Sequence, residues 1–139
     1  MTREPIYAAL FALLSGAAPF VTASRRLRHW SDVGPAEQPA LFVVQKSETA
    51  ERKSGLPAKW RALVDIYVYV HAPGDETAPA TVLNPLLDAI ETALAPQGAV
   101  QTLGGLAAHA WIAGKIETDE GILGGQAVAI VPIEILVAD

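Results

Sequence analysis

The most regular pattern in this chain lies between residues 60 and 71. Apolar side chains at the even positions alternate with a mixed set at the odd positions: Trp60, Ala62, Val64, Ile66, Val68 and Val70 against Arg61, Leu63, Asp65, Tyr67, Tyr69 and His71. A period of two residues is typical of a β-strand, because successive side chains point to opposite faces of a sheet. The pattern therefore predicts a strand with one face in a hydrophobic core and the other amphipathic.

Four more segments predict extended structure. They are a strand or extended stretch at 19–28, a short buried strand at 41–45, and strands at 110–118 and 126–137. The last two are expected to pair in an antiparallel manner around the turn Asp119-Glu120-Gly121. Pro132 interrupts the final strand and has no N–H to donate, so it predicts an edge strand or a bulge.

A helix is predicted over Glu4–Ser15. Its core-facing stripe recurs at helical spacing and consists of Ile6, Ala9, Leu10, Leu13 and Leu14. Pro5 suits the first turn and Gly16 the end. The opposite side carries Tyr7, Ala8, Phe11 and Ala12, so the helix is apolar nearly all round. Such a helix is either sandwiched inside the domain or presses on a neighbouring subunit.

A second helix follows a polar turn at residues 72–78. Its apolar side carries Leu83, Leu86, Leu87, Ile90 and Leu94. Thr81 or Asn84 is expected to cap it, Pro85 is tolerated in a first turn, and residues 96–98 end it. The order helix, strands, helix, strands predicts an α+β fold, in which an antiparallel or mixed β-sheet packs with two α-helices. The length of 139 residues suits a single domain over 1–139.

The segment from residue 46 to 59 is strongly polar and contains Ser54-Gly55 and Pro57. It predicts a long exposed loop, or alternatively a mobile hairpin. Long loops within compact domains often serve binding, which favours a functional role over a solvated excursion.

The two halves of the chain carry opposite charge. Residues 1–64 hold nine Lys and Arg against five acids, whereas residues 65–139 hold Lys115 against ten acids. If the halves form different faces, complementary fields favour head-to-tail packing of identical subunits. If the halves interleave in the fold, the fields cancel. The formal net charge of −5 argues against specific nucleic-acid binding.

No pattern indicates catalysis, a cofactor or a metal. The chain has no cysteine, no serine lies in a Gly-x-Ser-x-Gly turn, and the paired glycines lack a phosphate-loop context. His29, His71 and His109 lack the spacing of a common metal motif, although His71 and His109 would be neighbours if their strands pair. We expect a protein that is not an enzyme.

Residues 6–14 followed by Gly16-Ala17-Ala18 superficially resemble a secretory signal. A signal has a positively charged start, whereas here Arg3 is offset by Glu4, and the apolar run is short. No stretch approaches the ~18 apolar residues of a membrane span. We expect a protein made in the cytoplasm with no membrane partner.

Several segments together resemble the phage tail terminator, or tail completion, proteins of long-tailed phages. They are PIYAALFALL, RRLRHW, QPALFVVQ, KWRALVDIYVYV, LNPLLDAIETAL and WIAGKIETDEGILGGQAVAIVPIEILV. The resemblance covers most of the chain. It rests on the order of the elements and the general character of their sequences, because the family has no catalytic signature. It implies an α+β virion subunit that forms a hexameric ring at the head-proximal end of the tail tube. There it would stop tube polymerisation and provide the surface that joins the head.

The resemblance implies three partners: other copies of the chain, the tail tube protein, and the connector or neck proteins between head and tail. From exposure and charge, we expect the subunit or tube interface to include Tyr7, Phe11, Arg25, Arg26, Arg28, Lys46, Glu48, Glu51, Arg52, Lys53 and Lys59. Two alternatives remain open: a head completion or neck connector protein, and a small α+β domain whose ligand lies under the 46–59 loop.

Overall fold

The computed structural model describes residues 1–121 and 124–138, so Ile122, Leu123 and Asp139 of the predicted domain lie outside the described residues. Two α-helices and six β-strands are present in these ranges. They are α1 (Arg3–Ser15), β1 (Thr22–Ser24), β2 (Ala40–Glu51), β3 (Lys59–His71), α2 (Ala80–Leu94), β4 (His109–Ile112), β5 (Glu117–Glu120) and β6 (Gln126–Ala138). The strands form one mixed sheet, which confirms the predicted α+β class.

The strands lie in the order β1, β2, β3, β6, with β4 and β5 both alongside β6. All neighbours are antiparallel except β1 and β2, which are parallel. Both helices cover one face of the sheet. The main core forms there, between the buried sides of α1 and α2 and the inward residues of β3 and β6.

Strand β3 is central in the sheet and confirms the alternation that predicts it. Ala62, Val64, Ile66, Val68 and Val70 are all buried on the helix side. Tyr69, on the other face, is buried in a smaller cluster with Val33, Ala40 and Phe42. The turns at residues 30–37 therefore cover part of the second face. Within the predicted strand 19–28, regular pairing is confined to Thr22–Ser24.

Helix α1 lies where predicted, but its buried stripe is shifted toward Tyr7, and the predicted core residues Ala9 and Leu13 are half-buried. Ile6, Leu10 and Leu14 are buried, and so is Tyr7. The prediction that Tyr7 lies on the outward side is wrong, because its ring packs into the core and its hydroxyl bonds to Glu48 on β2. Ala8 and Ala12 are the exposed members of that side, and Phe11 is half-buried.

Helix α2 begins at Ala80, before either predicted cap. Thr81 and Asn84 lie inside the helix, and the Thr81 hydroxyl donates to the Ala78 carbonyl at 2.7 Å. The free N–H of Ala80 instead donates to the Glu120 carboxylate of β5. A carboxylate is favourable at the positive end of a helix dipole. This cap comes from a residue 40 positions away, so local sequence does not reveal it.

The long loop predicted over residues 46–59 is wrong, and the alternative prediction of a hairpin describes the observed arrangement. Strand β2 continues to Glu51 and β3 begins at Lys59, so only residues 52–58 connect them. The two strands pair from Ala40↔Tyr69 to Glu51↔Lys59, with a bulge at Lys46. Neither face of β2 is fully buried beyond residue 44, and its side chains there are polar on both faces. The alternation of apolar and polar residues that would predict a strand is therefore absent from this segment.

The predicted strand at 110–118 is split into β4 and β5, and both pair with β6. Asp119 and Glu120, predicted as a turn, are the end of β5. Strand β6 is central, which corrects the prediction of an edge strand at Pro132. An N–H and a C=O of one residue in an antiparallel strand point to the same neighbour, and the Pro132 carbonyl accepts from Ala113 N–H. The missing donor of Pro132 therefore faces the gap between β4 and β5.

Candidate functional site

The connection between β2 and β3 forms the hairpin tip, defined here as residues 51–59. It contains three of the predicted interface cations, Arg52, Lys53 and Lys59, all exposed. None of them has an ion-pair partner among residues 1–121 and 124–138. A shallow cleft of about 580 Å³ lies beside them and also involves Leu56, which is 58% exposed. The tip therefore presents positive charge and an apolar side chain to solvent.

Glu48 ties this end of the sheet to α1. Its carboxylate accepts hydrogen bonds from Arg3 Nε and from the Tyr7 hydroxyl, each at 2.7 Å. The Arg3 guanidinium also lies 5.2 Å from the centre of the Trp60 ring, within cation–π range. Glu48, predicted as an interface residue, is thus used inside the subunit to fix α1 against the hairpin.

These contacts shift the pKa of both Glu48 and Tyr7. Burial raises the pKa of Glu48, but the hydrogen bonds from Tyr7 and Arg3 outweigh it, so the net pKa is lowered. Burial, followed by the Glu48 hydrogen bond, raises the pKa of Tyr7 well above its ordinary value. Glu48 is therefore ionised and Tyr7 neutral at neutral pH, as a charge-assisted hydrogen bond requires.

Two more predicted interface residues are paired on the sheet face opposite the helices. Lys46 Nζ lies 3.0 Å from Asp65 Oδ2, a contact that raises the pKa of Lys46. Glu51 accepts from Arg61 Nε at 3.0 Å, and Arg61 also pairs with Glu134 on β6. These pairs link adjacent strands and leave less charge available for a partner protein.

The basic cluster near β1 is divided among different contacts. Arg25 pairs with Glu4 of α1 and donates to Gln45 Oε1 at 3.0 Å. Arg28 donates two bonds of 3.0 Å to Glu37, which lower the pKa of that carboxyl. The Arg26 side chain is exposed and forms no ion pair within the described part of the chain. Among these three arginines, Arg26 is therefore the one whose guanidinium is left for contacts outside the subunit.

The opposite end of the sheet is acidic. Asp75 and Glu76 lie in the turn that follows β3, and Asp119 and Glu120 lie on β5, which is separated from the last residues of β3 by β6. We call these four residues the acidic end. None forms an ion pair with any described residue, and three are exposed while Asp119 is half-buried. The predicted interface omitted these four residues. The excess of acids in the second half of the chain was the sequence feature that could have indicated them.

The histidines lie apart from one another. His71 pairs with Gln126 and His109 with Leu136, at opposite ends of β6; their strands do not pair with each other, so the condition under which the two histidines would be neighbours is not met. His29 accepts from Ser31 N–H and lies against the Trp30 ring. No cluster of three His, Asp or Glu side chains suited to a metal ion occurs among the described residues. No helix in the described ranges is long and apolar enough to cross a membrane.

No protein-family model and no curated protein matches this sequence. One solved structure with a similar fold is described as the "Virion of native gene transfer agent (GTA) particle". The match has a TM-score of 0.57 at 12% sequence identity and covers 96% of this chain and 95% of that chain. The likeness shows a shared fold over nearly the full length of both chains.

Proposed function

We propose that this chain is a structural protein of a phage-like particle, made in the host cytoplasm and incorporated into the virion. The observation that carries the proposal is the fold shared, over nearly the whole length of both chains, with a chain of a gene transfer agent virion. The sequence resemblance to tail terminators points to the same class of protein. A virion subunit acts through its surfaces, so the role proposed is structural and not enzymatic.

Within that class, we propose the tail terminator role. The chain forms a ring, with six copies as the expected number, on the head-proximal end of the tail tube. The ring stops tube growth and presents a surface to the connector or neck proteins of the head. The separation of charge between the two ends of the sheet supports this role, because it favours head-to-tail contacts between identical subunits, which close into a ring when the rotation between copies permits.

The contacts within the subunit reduce the predicted interface to a smaller set. Arg26, Arg52, Lys53 and Lys59 are the exposed cations of that set that lack an ion-pair partner in residues 1–121 and 124–138. Tyr7, Arg25, Arg28, Lys46, Glu48 and Glu51 are committed inside the subunit. We assign contacts with other virion proteins to the first set.

Electron microscopy of the protein with purified tail tube protein from the same genome tests the terminator role. We expect rings on one end of the tubes and a mean tube length that falls as the molar ratio of this protein rises. Tubes of unchanged length without end density would contradict the terminator role. Binding to a purified head connector in that case would support the neck alternative.

A matched pair of variants makes this experiment specific. Arg26→Glu changes a cation without an intramolecular ion pair, whereas Lys115→Glu changes an exposed lysine whose 3.5 Å pair with Glu117 is worth little. If Arg26 contacts the tube, the first variant caps fewer tubes and the second caps as many as the natural protein. Equal capping by both would remove Arg26 from the contact with the tube.

A further inference from the structure

The hairpin tip and the acidic end lie at opposite ends of one strand. Lys59 is the first residue of β3, and Asp75 and Glu76 follow its last residue, His71. A strand of 13 residues spans roughly 40 Å at ~3.3 Å per residue. At these two ends, therefore, the opposite charges of the two sequence halves are separated in space.

This distance prevents the two groups from neutralising each other within one subunit. Charges in solution are screened over about 8 Å at physiological ionic strength, several times less than the length of β3. Arg52, Lys53 and Lys59 at one end, and Asp75, Glu76 and Asp119 at the other, therefore keep their fields for an external partner, whereas Glu120 also caps α2.

We propose that the hairpin tip of one copy docks against the acidic end of a second copy. This inference rests on the proposed function and names the contact between ring subunits. The chain itself carries both complementary surfaces, so a second copy supplies the matching charge without any other partner. Because the two surfaces differ, the contact is heterologous and propagates from copy to copy until it closes. Leu56 adds apolar area at the contact.

Site-directed cross-linking tests the contact, since the natural chain has no cysteine. Ser54→Cys places a thiol in the hairpin tip, and Thr77→Cys places one in the turn that carries Asp75 and Glu76; both positions are exposed and uncharged. A disulfide needs Cα atoms within about 7 Å, so two thiols separated by the length of β3 cannot join within one chain. Any bond between these sites therefore joins different copies.

Under mild copper-phenanthroline oxidation we expect the double variant to form a ladder of covalent oligomers. The matched control is Ser54→Cys with Thr92→Cys, since Thr92 is exposed on α2 near the helix end remote from Glu120. We expect the ladder to be at least about tenfold weaker in the control. Equal ladders in both proteins, or none in either, would overturn the proposal.

Exchange of charges adds a second and independent test. One variant carries Arg52→Glu, Lys53→Glu and Lys59→Glu with Ser54→Cys. The other carries Asp75→Lys, Glu76→Lys and Asp119→Lys with Thr77→Cys, and it keeps Glu120, which caps α2. When the two variants are mixed, the anionic tip of the first meets the basic end of the second, and the natural tip of the second meets the acidic end of the first. We therefore expect cross-linked heterodimers, in a yield that 0.5 M salt lowers.

One control mixture and one separate assay decide what the cross-linking means. The tip variant mixed with a Thr77→Cys protein of natural charge should cross-link roughly tenfold less, because like charges then meet. Cross-linking that ignores the charges would overturn the proposal. Tube capping is scored separately: capped tubes without a ladder would reject this contact alone, and a ladder without capping would reject the terminator role alone.

Discussion

The β2–β3 hairpin has one continuous ladder but two kinds of surface. Near Phe42 and Val68 it is buried on both faces, by the helices on one side and by the 30–37 turns on the other. Beyond Lys46 it is lined by charged residues and ends in the cationic tip. The buried half therefore fixes the position of the exposed half, and the exposed half remains available to other proteins.

The largest expected effect comes from the core of the buried half. Ile66→Ala removes a side chain that is fully buried, and we expect a loss of about 2–5 kcal/mol in the free energy of unfolding. Leu63→Ala, three residues earlier on β3 at a site 38% exposed, should cost less than about 1 kcal/mol. Urea denaturation monitored by circular dichroism measures both. Similar losses would mean that the two halves are equally buried in solution.

The junction between the halves should show an intermediate effect. Tyr7→Phe removes the hydroxyl that donates to Glu48 and should lower the free energy of unfolding by about 1–2 kcal/mol. Tyr67→Phe is the matched control, because the Tyr67 hydroxyl has no hydrogen-bond partner in the described part of the chain. A smaller effect at Tyr7 than at Tyr67 would show that Glu48 does not hold α1 against the hairpin.

Acid should weaken the same junction. The folded pKa of Glu48 is lowered, so its contribution is present above the unfolded value near 4.5 and is lost as the pH falls through the folded pKa. We expect Glu48→Gln to reduce the dependence of unfolding free energy on pH below about 4.5, in urea titrations from pH 7 to pH 3. An unchanged slope would assign acid sensitivity to other carboxyls.

The smallest effect on stability is expected at the tip. Arg52→Glu with Lys53→Glu changes two exposed side chains without ion pairs among the described residues, so the free energy of unfolding should change by less than about 0.5 kcal/mol. Thermal unfolding checks this. A large loss would show that the tip contributes to the stability of the fold, which would contradict the proposed difference between the buried and the exposed half of the hairpin.

The sequence predicts elements well where one face is buried. The alternation in β3 and the apolar stripes of α1 and α2 reflect contact with the core; the structure confirms all three elements and corrects the buried side of α1 at Tyr7. The 46–51 segment has no such apolar pattern because both of its faces are polar. Its strand conformation depends on hydrogen bonds to β3. The Tyr7 assignment fails for a related reason, since a phenol ring can occupy the core when a distant carboxylate accepts from its hydroxyl.

The same division holds for the candidate surfaces. The sequence by itself determines which residue types are present, the opposite charge of the two halves and the period of the buried segments, because these properties depend on residues close in the chain. Which charges pair inside the subunit, where Pro132 is tolerated, and the placement of the hairpin tip and the acidic end at opposite ends of the sheet all depend on the tertiary structure. Those outcomes depend on strand order and register, which join residues far apart in the chain.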